Sequence, residues 1–163
     1  MLSARLIQII EDHAEQLTRG LIDDLLSNNH TPHYHHLTRE ELHYRTYEVY
    51  RHLGRWLSNE TEAAIESSYT RLGKKRLAEG IPLSEIVYSL GLVKHHLLEY
   101  IHLSGMIDSA VDLYGDRELQ RLVGRFFDKA VYYTVRGFEH DADQQDPSAA
   151  VKRAVAEHQA SQK

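Results

Sequence analysis

The sequence predicts an all-α bundle of about five to six helices, and three observations predict it. Apolar residues recur at steps of three and four along five separate stretches. The alternation of β-branched residues that marks strands is missing. Helix-stop and helix-start residues punctuate the stretches, most clearly at the junction within 69–101, YTRLGKKRLAEGIPLSEIVYSLGLVKHHLLEYI. There Ile65, Tyr69, Leu72 and Arg76 fall on one helical face, so Arg76 continues an apolar stripe instead of pointing away from it. Gly80 is the residue most tolerant of the left-handed conformation that closes a helix, and Pro82 stands where a new one can begin.

Taken in order, residues 2–26 read as the first helix. Leu6, Ile9, Ile10, His13, Leu17, Leu21 and Leu25 keep helical spacing, with Gly20 as a bend, and Asn28-Asn29 and Pro32 end it. The following HTPHYHH gathers His30, His33, His35 and His36. Four imidazoles this close have the chemistry to bind a transition metal. A polar loop is the better reading, because no carboxylate or cysteine is fixed beside them and a loop does not preorganise ligands. Thr38 followed by Glu41 has the pattern of a capping box and opens the second helix, with Leu42, Val49, Leu53, Trp56 and Leu57 inward. Trp56, the only tryptophan, reads as a core anchor, with the lining of a ligand pocket as the alternative. Asn59 followed by Glu62 is a weaker cap for the third helix, which runs to Gly80.

The fourth helix runs from Pro82 to about Leu103. Leu83, Ile86, Val87, Leu90, Val93, Leu97 and Ile101 cover more than one of its faces, which places it in the middle of the bundle. His95 and His96 lie on it; adjacent helical positions point about 100° apart, so at most one can face a given pocket. Residues 104–115 read as a loop. Asp116 starts a fifth helix lasting to about His140, roughly 37 Å at the standard rise. It carries two apolar stripes. Leu119, Val123, Phe126, Ala130 and Tyr133 form the first; Phe127, Val131, Val135 and Phe138 form the second. One stripe docks a helix on its own domain. The second points to a second copy of the chain, the alternative being that the other helices bury both. The expected domain is residues 1–140, followed by a polar linker and the start of a connector helix at 141–163, where Val151, Val155 and His158 recur at steps of four and three.

Composition bounds the function. The chain has 163 residues, enough for one domain that buries about 70% of its unfolded surface without metal or disulfide. No cysteine is present, which excludes thiol catalysis and cysteine-ligated zinc. With 24 acidic against 19 basic side chains, the formal charge is -5. Lys74-Lys75-Arg76 is the only basic cluster, so no nucleic-acid partner is expected. No apolar run approaches the ~20 residues that span a membrane, and the start lacks a signal peptide's pattern, so the expected location is a bacterial-type cytoplasm. No nucleophile elbow, P-loop, HExxH or dinucleotide fingerprint occurs, and no enzymatic activity is expected.

The run LGKKRLAEGIPLSEIV, the long apolar helix after it and then ELQRLVGRFFDKAVYYTVRGFE resemble the sensor-globin family. The likeness is to the N-terminal domains of RsbR-type stressosome proteins and to related domains that precede histidine kinases, over roughly Leu42 to His140. It implies a globin-like bundle whose last two long helices form a dimer interface, followed by an output module such as a STAS domain or a kinase. Haem-binding members carry a segment similar to Leu72-Gly73, two residues, then the iron-ligating histidine, a glycine and an Ile81-Pro82-like start of the next helix. Here that ligand position falls on Arg76, which has no lone pair to offer iron.

The expected protein is therefore a non-catalytic, haem-less sensor and dimerisation domain of a bacterial signal-transduction protein, acting on a downstream output domain or regulatory protein and carrying no cofactor. The competing expectation is a haem-binding gas sensor with an unusual ligand, for which His95, His96 and His13 are weak candidates. Arg76, with Tyr69 two turns before it and Trp56, is the candidate ligand-binding or core polar site. An inward guanidinium can pair with an internal carboxylate, take an anionic ligand bidentately, or lay its stem on apolar surface and reach water. Phe127, Val131, Val135 and Phe138 are the candidate dimer interface.

Overall fold

The computed structural model describes residues 2–57, 62–104 and 110–160, and it is all-α, with no strand among them. The helices are α1 (Leu2–Asp12), α2 (Ala14–Ser27), α3 (Arg39–Arg51), α4 (Leu53–Leu57), α5 (Glu62–Ala78), α6 (Leu83–Ser104), α7 (Ala110–Gln145) and α8 (Pro147–Ala160), with a 3₁₀ turn at Pro32–His36. The number exceeds the expected five to six because two expected helices are each broken once and the tail adds another.

Both breaks fall at histidines. The first expected helix divides at His13 (φ −105°, ψ 16°), not at Gly20, and the second divides at His52 (φ −120°, ψ 33°). At His13 the backbone N–H is shared between the Ile9 and Ile10 carbonyls, and the ring Nδ1–H donates to the Ile9 carbonyl at 2.7 Å. The ring thus bonds backbone instead of filling the interior, and His13 is exposed, contrary to its place on the expected inward stripe. Ile10, Ala14 and Leu17, on either side of the break, join one core cluster, and Leu21, Ile22 and Leu25 further along α2 join another.

The expected punctuation is present. Thr38 and Glu41 form a reciprocal capping box at the start of α3. Gly80 has a positive φ of 74°, and two bonds close α5: Gly80 N–H to the Leu77 carbonyl and Ile81 N–H to the Arg76 carbonyl. That pair is the Schellman arrangement, with buried Ile81 as its apolar lock. The Pro82 carbonyl then accepts from Glu85 and Ile86, opening α6.

The last helices depart from expectation. α7 already runs from Ala110, inside the expected 104–115 loop, and continues past His140 to Gln145. Residues 105–109, Asn59 and residues 161–163 lie outside the described residues. DADQQD lacks a breaker before Pro147, and Pro is well suited to the first turn of the next helix, α8, where the Asp146 carboxylate accepts from Ser148 N–H. The expected polar linker is therefore helical through residue 145. α8 is exposed throughout its described side chains, including Val151 and Val155.

The main core cluster joins α1, α2, α3, α4, α5, α6 and α7 around Tyr50, Leu53, Leu97, Ile101, Leu119 and Val123; each large apolar side chain fully buried there contributes about 1.5–3 kcal/mol. α6 is less enclosed than its apolar content implies. Val87 is 37% exposed, and a Cβ on Gly91 would meet nothing within 4 Å, so one face of α6 looks outward. No helix among the described residues is long and apolar enough to cross a membrane.

Candidate functional site

The site forms where α5 ends against α3, α6 and the 3₁₀ turn. A cavity of about 40 Å³ lies there. Its polar lining is Tyr34 from the turn, Arg45 and Thr46 from α3, Tyr69 and Arg76 from α5, and Ser89 from α6. Leu25, Leu42, Val49, Leu72, Leu90 and Val93 supply the apolar remainder. Among the described residues the lining holds two guanidinium groups and no carboxylate.

Arg76 is 4% exposed, so its head does not reach water. The stripe that begins at Ile65 carries it inward, as the spacing predicts. Its Nη1–H donates to Glu79 Oε2 at 2.6 Å, an ion pair between neighbouring turns. The guanidinium carbon lies 5.3 Å from the centre of the Tyr34 ring, a cation–π contact in a desolvated setting. Its Nε is buried without a hydrogen-bond partner among the described residues. The internal-pair reading of Arg76 is thus realised on one edge of the guanidinium, while the other edge is unsatisfied.

Tyr34 is 2% exposed. Ser89 Oγ–H donates to the Ile86 carbonyl at 2.7 Å, which leaves the Ser89 oxygen to accept the Tyr34 hydroxyl proton at 2.9 Å. Burial raises the Tyr34 phenol above its ordinary pKa, so the hydroxyl stays protonated. Burial likewise raises Tyr69, and lowers Arg45 through desolvation of its guanidinium. Arg45 Nη1–H reaches only the Ser68 carbonyl, at 3.4 Å, and Arg45 pairs with no carboxylate among the described residues.

Of the expected site residues, Arg76 and Tyr69 line this cavity and Trp56 does not. Trp56 packs edge-on to Tyr69 (6.2 Å between ring centres) and against Phe126 (5.8 Å), with its Nε1–H donating to the Glu48 carbonyl at 3.3 Å. It is an anchor behind the site. Tyr34, Arg45, Thr46 and Ser89 belong to the cavity but were missed by sequence reasoning. Arg45 carried the same signal as Arg76, since it falls three after Leu42 and four before Val49. Tyr34 was hidden by its four histidine neighbours.

None of the weak haem-ligand candidates lines the cavity. His13 bonds its own helix, His95 lies on the surface beside Glu99 at 3.3 Å, and His96 donates to Asp24 at 2.8 Å. The 30–36 histidines diverge. His33 bonds Glu85, His35 bonds the Asn28 carbonyl, His30 stacks on Tyr88 and His36 is exposed. No three His, Asp or Glu side chains are grouped to hold a metal ion among the described residues.

The expected interface stripe on α7 divides. Phe127 is 2% exposed within its own chain, so its side chain offers little surface to a second copy. Val131 packs against the main core and Phe138 against the second cluster, both partly exposed, and Val135 is partly exposed. Phe127 belongs to the main core cluster with Phe126, so this part of the second stripe is covered within the chain. Compared with protein-family models, curated proteins and solved structures, the chain matches none.

Proposed function

We propose that this chain is a non-catalytic, haem-less globin-like sensor and dimerisation domain of a bacterial signal-transduction protein, whose last long helices bias a downstream output module. The observation that carries the reading is Arg76. It occupies the position where the resembled haem-binding globins hold their iron ligand, it is buried, and one edge of it is fixed by Glu79. A guanidinium offers no lone pair to iron. The cavity beside it is about 40 Å³, room for one or two waters and not for a macrocycle.

A buried charged site at the junction of α3, α5 and α6 is suited to sensing, because a ligand there bears on the helix that packs along α7. Such coupling requires the ligand to bind two arrangements of the helices with different affinity. Dimerisation is proposed through the outward faces of α6 and α7, where Val87, Val131 and Val135 remain partly exposed.

The test is an absorbance spectrum from 350 to 650 nm before and after adding haemin, run beside gel filtration. The expected result is a two-chain species without a stable Soret band. A sharp, stoichiometric Soret band overturns the haem-less reading, and a monomer overturns the dimer.

A further inference from the structure

We propose that the cavity between Arg45 and Arg76 binds a small planar monoanion, of the formate, nitrate or bicarbonate class. Three independent features lead there.

The first is charge. Arg45 and Arg76 both line the cavity, and Glu79 offsets one of them, leaving one positive charge uncompensated at a partly desolvated site. Arg45, the half-buried one, is the charge left without a partner among the described residues, and one monoanion closes the balance. The second is geometry at Arg76. Glu79 takes Nη1, so the side edge carrying Nε is the one left over, and Nε lacks an acceptor. A planar oxyanion with two oxygens is the shape that a guanidinium edge binds through parallel N–H donors. Arg45, whose one hydrogen bond among the described residues is the long one to the Ser68 carbonyl, can turn toward the same anion at little cost.

The third is size. At about 40 Å³ the cavity is well below the roughly 150 Å³ that admits benzene, so the occupant has only a few heavy atoms. Two of the lining hydroxyls are spent elsewhere: the Tyr34 proton on Ser89, and the Ser89 proton on the Ile86 carbonyl. That the anion is a signal rests on the sensor reading; that it binds rests on the cavity alone.

The experiment is thermal unfolding of the full chain against sodium formate, with sodium gluconate, too large for the cavity, holding ionic strength constant. The expected result is a saturable rise in Tm of at least about 2 °C for the unmodified chain, reproduced by nitrate and absent in Arg45→Gln. A rise that does not saturate, or one equal in Arg45→Gln, overturns the proposal. Should Arg45→Gln fail to fold, Arg45→Lys keeps the stem and charge but not the fork, and a formate response in it equal to the unmodified chain's overturns the proposal as well. The ¹³C linewidth of formate gives a readout that needs no variant. Broadening by the protein that excess nitrate reverses supports the site, and an unbroadened line sinks it. Haemin and gel-filtration behaviour do not depend on either result, so loss of the anion site leaves the sensor reading separately testable.

Discussion

Gly73 on α5 and Gly137 on α7 make one reciprocal helix crossing in which each backbone fills the space a side chain would need. A Cβ on Gly73 would sit 2.1 Å from the Thr134 carbonyl oxygen, and one on Gly137 would sit 2.2 Å from the Thr70 carbonyl oxygen. Both obstacles are backbone atoms, which cannot swing aside. Gly73→Ala or Gly137→Ala must therefore push the two helices apart, at a cost of about 3 kcal/mol or more. For a chain of this size that is a fall in Tm of roughly 6–12 °C, read by circular dichroism. The exposed Gly91→Ala is the control, since its Cβ would meet nothing within 4 Å; within a helix it should hold or raise the Tm.

The Arg76–Glu79 pair is asymmetric. Arg76 is buried, whereas the Glu79 side chain is 23% exposed. Glu79→Gln strands a buried cation and should cost about 2–3 kcal/mol, less than for a fully enclosed pair. Adding Arg76→Met removes that charge and fills the same space with apolar atoms, so the double variant should be more stable than Glu79→Gln alone. Urea unfolding of the four proteins of this cycle measures both. A loss below about 0.5 kcal/mol for Glu79→Gln would place the pair among solvated surface contacts.

These two sites show which part of the molecule the sequence makes legible. The inward direction of Arg76, the Gly80 closure and the Thr38–Glu41 box are local matters, set by spacing within one or two turns, and each is found where the pattern puts it. What the local pattern lacks is the identity of the neighbour. Nothing in the spacing around Gly73 names the α7 backbone that lies against it. Tyr34 reads as loop until Arg76, 42 positions later, is seen 5.3 Å from its ring. The breaks at His13 and His52 were equally hidden, because apolar spacing runs through both and the residues on either side of each break share one core cluster. Phe127 shows the same limit: a second stripe gives the width of the apolar face, not whether the chain's own core or a second chain covers it.

Acid should loosen the contact between α2 and α6. Asp24 accepts from Asn28 Nδ2 at 3.0 Å and from the His96 ring at 2.8 Å, and these bonds, the Asn28 one first, hold its carboxyl below the usual range. A depressed folded-state pKa means that the unfolded chain takes up the proton first. The stabilisation is thus whole above the ordinary carboxyl pKa of about 4 and drains away as the pH falls through the folded value. Glu15, Glu41 and Glu62 are lowered as well, led by bonds to His43, the Thr38 backbone and Lys129, and they act with the same sign. Urea midpoints taken from pH 6 to pH 2.5 should fall less steeply for Asp24→Asn than for the unmodified chain. Parallel curves would show that Asp24 carries none of the acid sensitivity.

The division of the α7 stripe separates what holds the fold from what holds a dimer. Phe127 is buried in its own chain among Phe126 and the other core side chains, with the two rings edge to face at 5.0 Å. Phe127→Ala leaves a cavity and should cost about 3–5 kcal/mol of folding stability. Val135, partly exposed one helix turn after Val131, has little of its own core to lose. In the proposed dimer its partner would have to desolvate any charge placed there. Val135→Glu should therefore leave the circular dichroism spectrum unchanged and the unfolding free energy of the separated chain within about 1 kcal/mol of the unmodified one, while shifting sedimentation velocity from two chains to one. The two variants are read together. If Val135→Glu stays dimeric at micromolar concentration, the interface does not run along α7 at this position. If Phe127→Ala keeps full stability, its ring is not part of the core that it shares with Phe126.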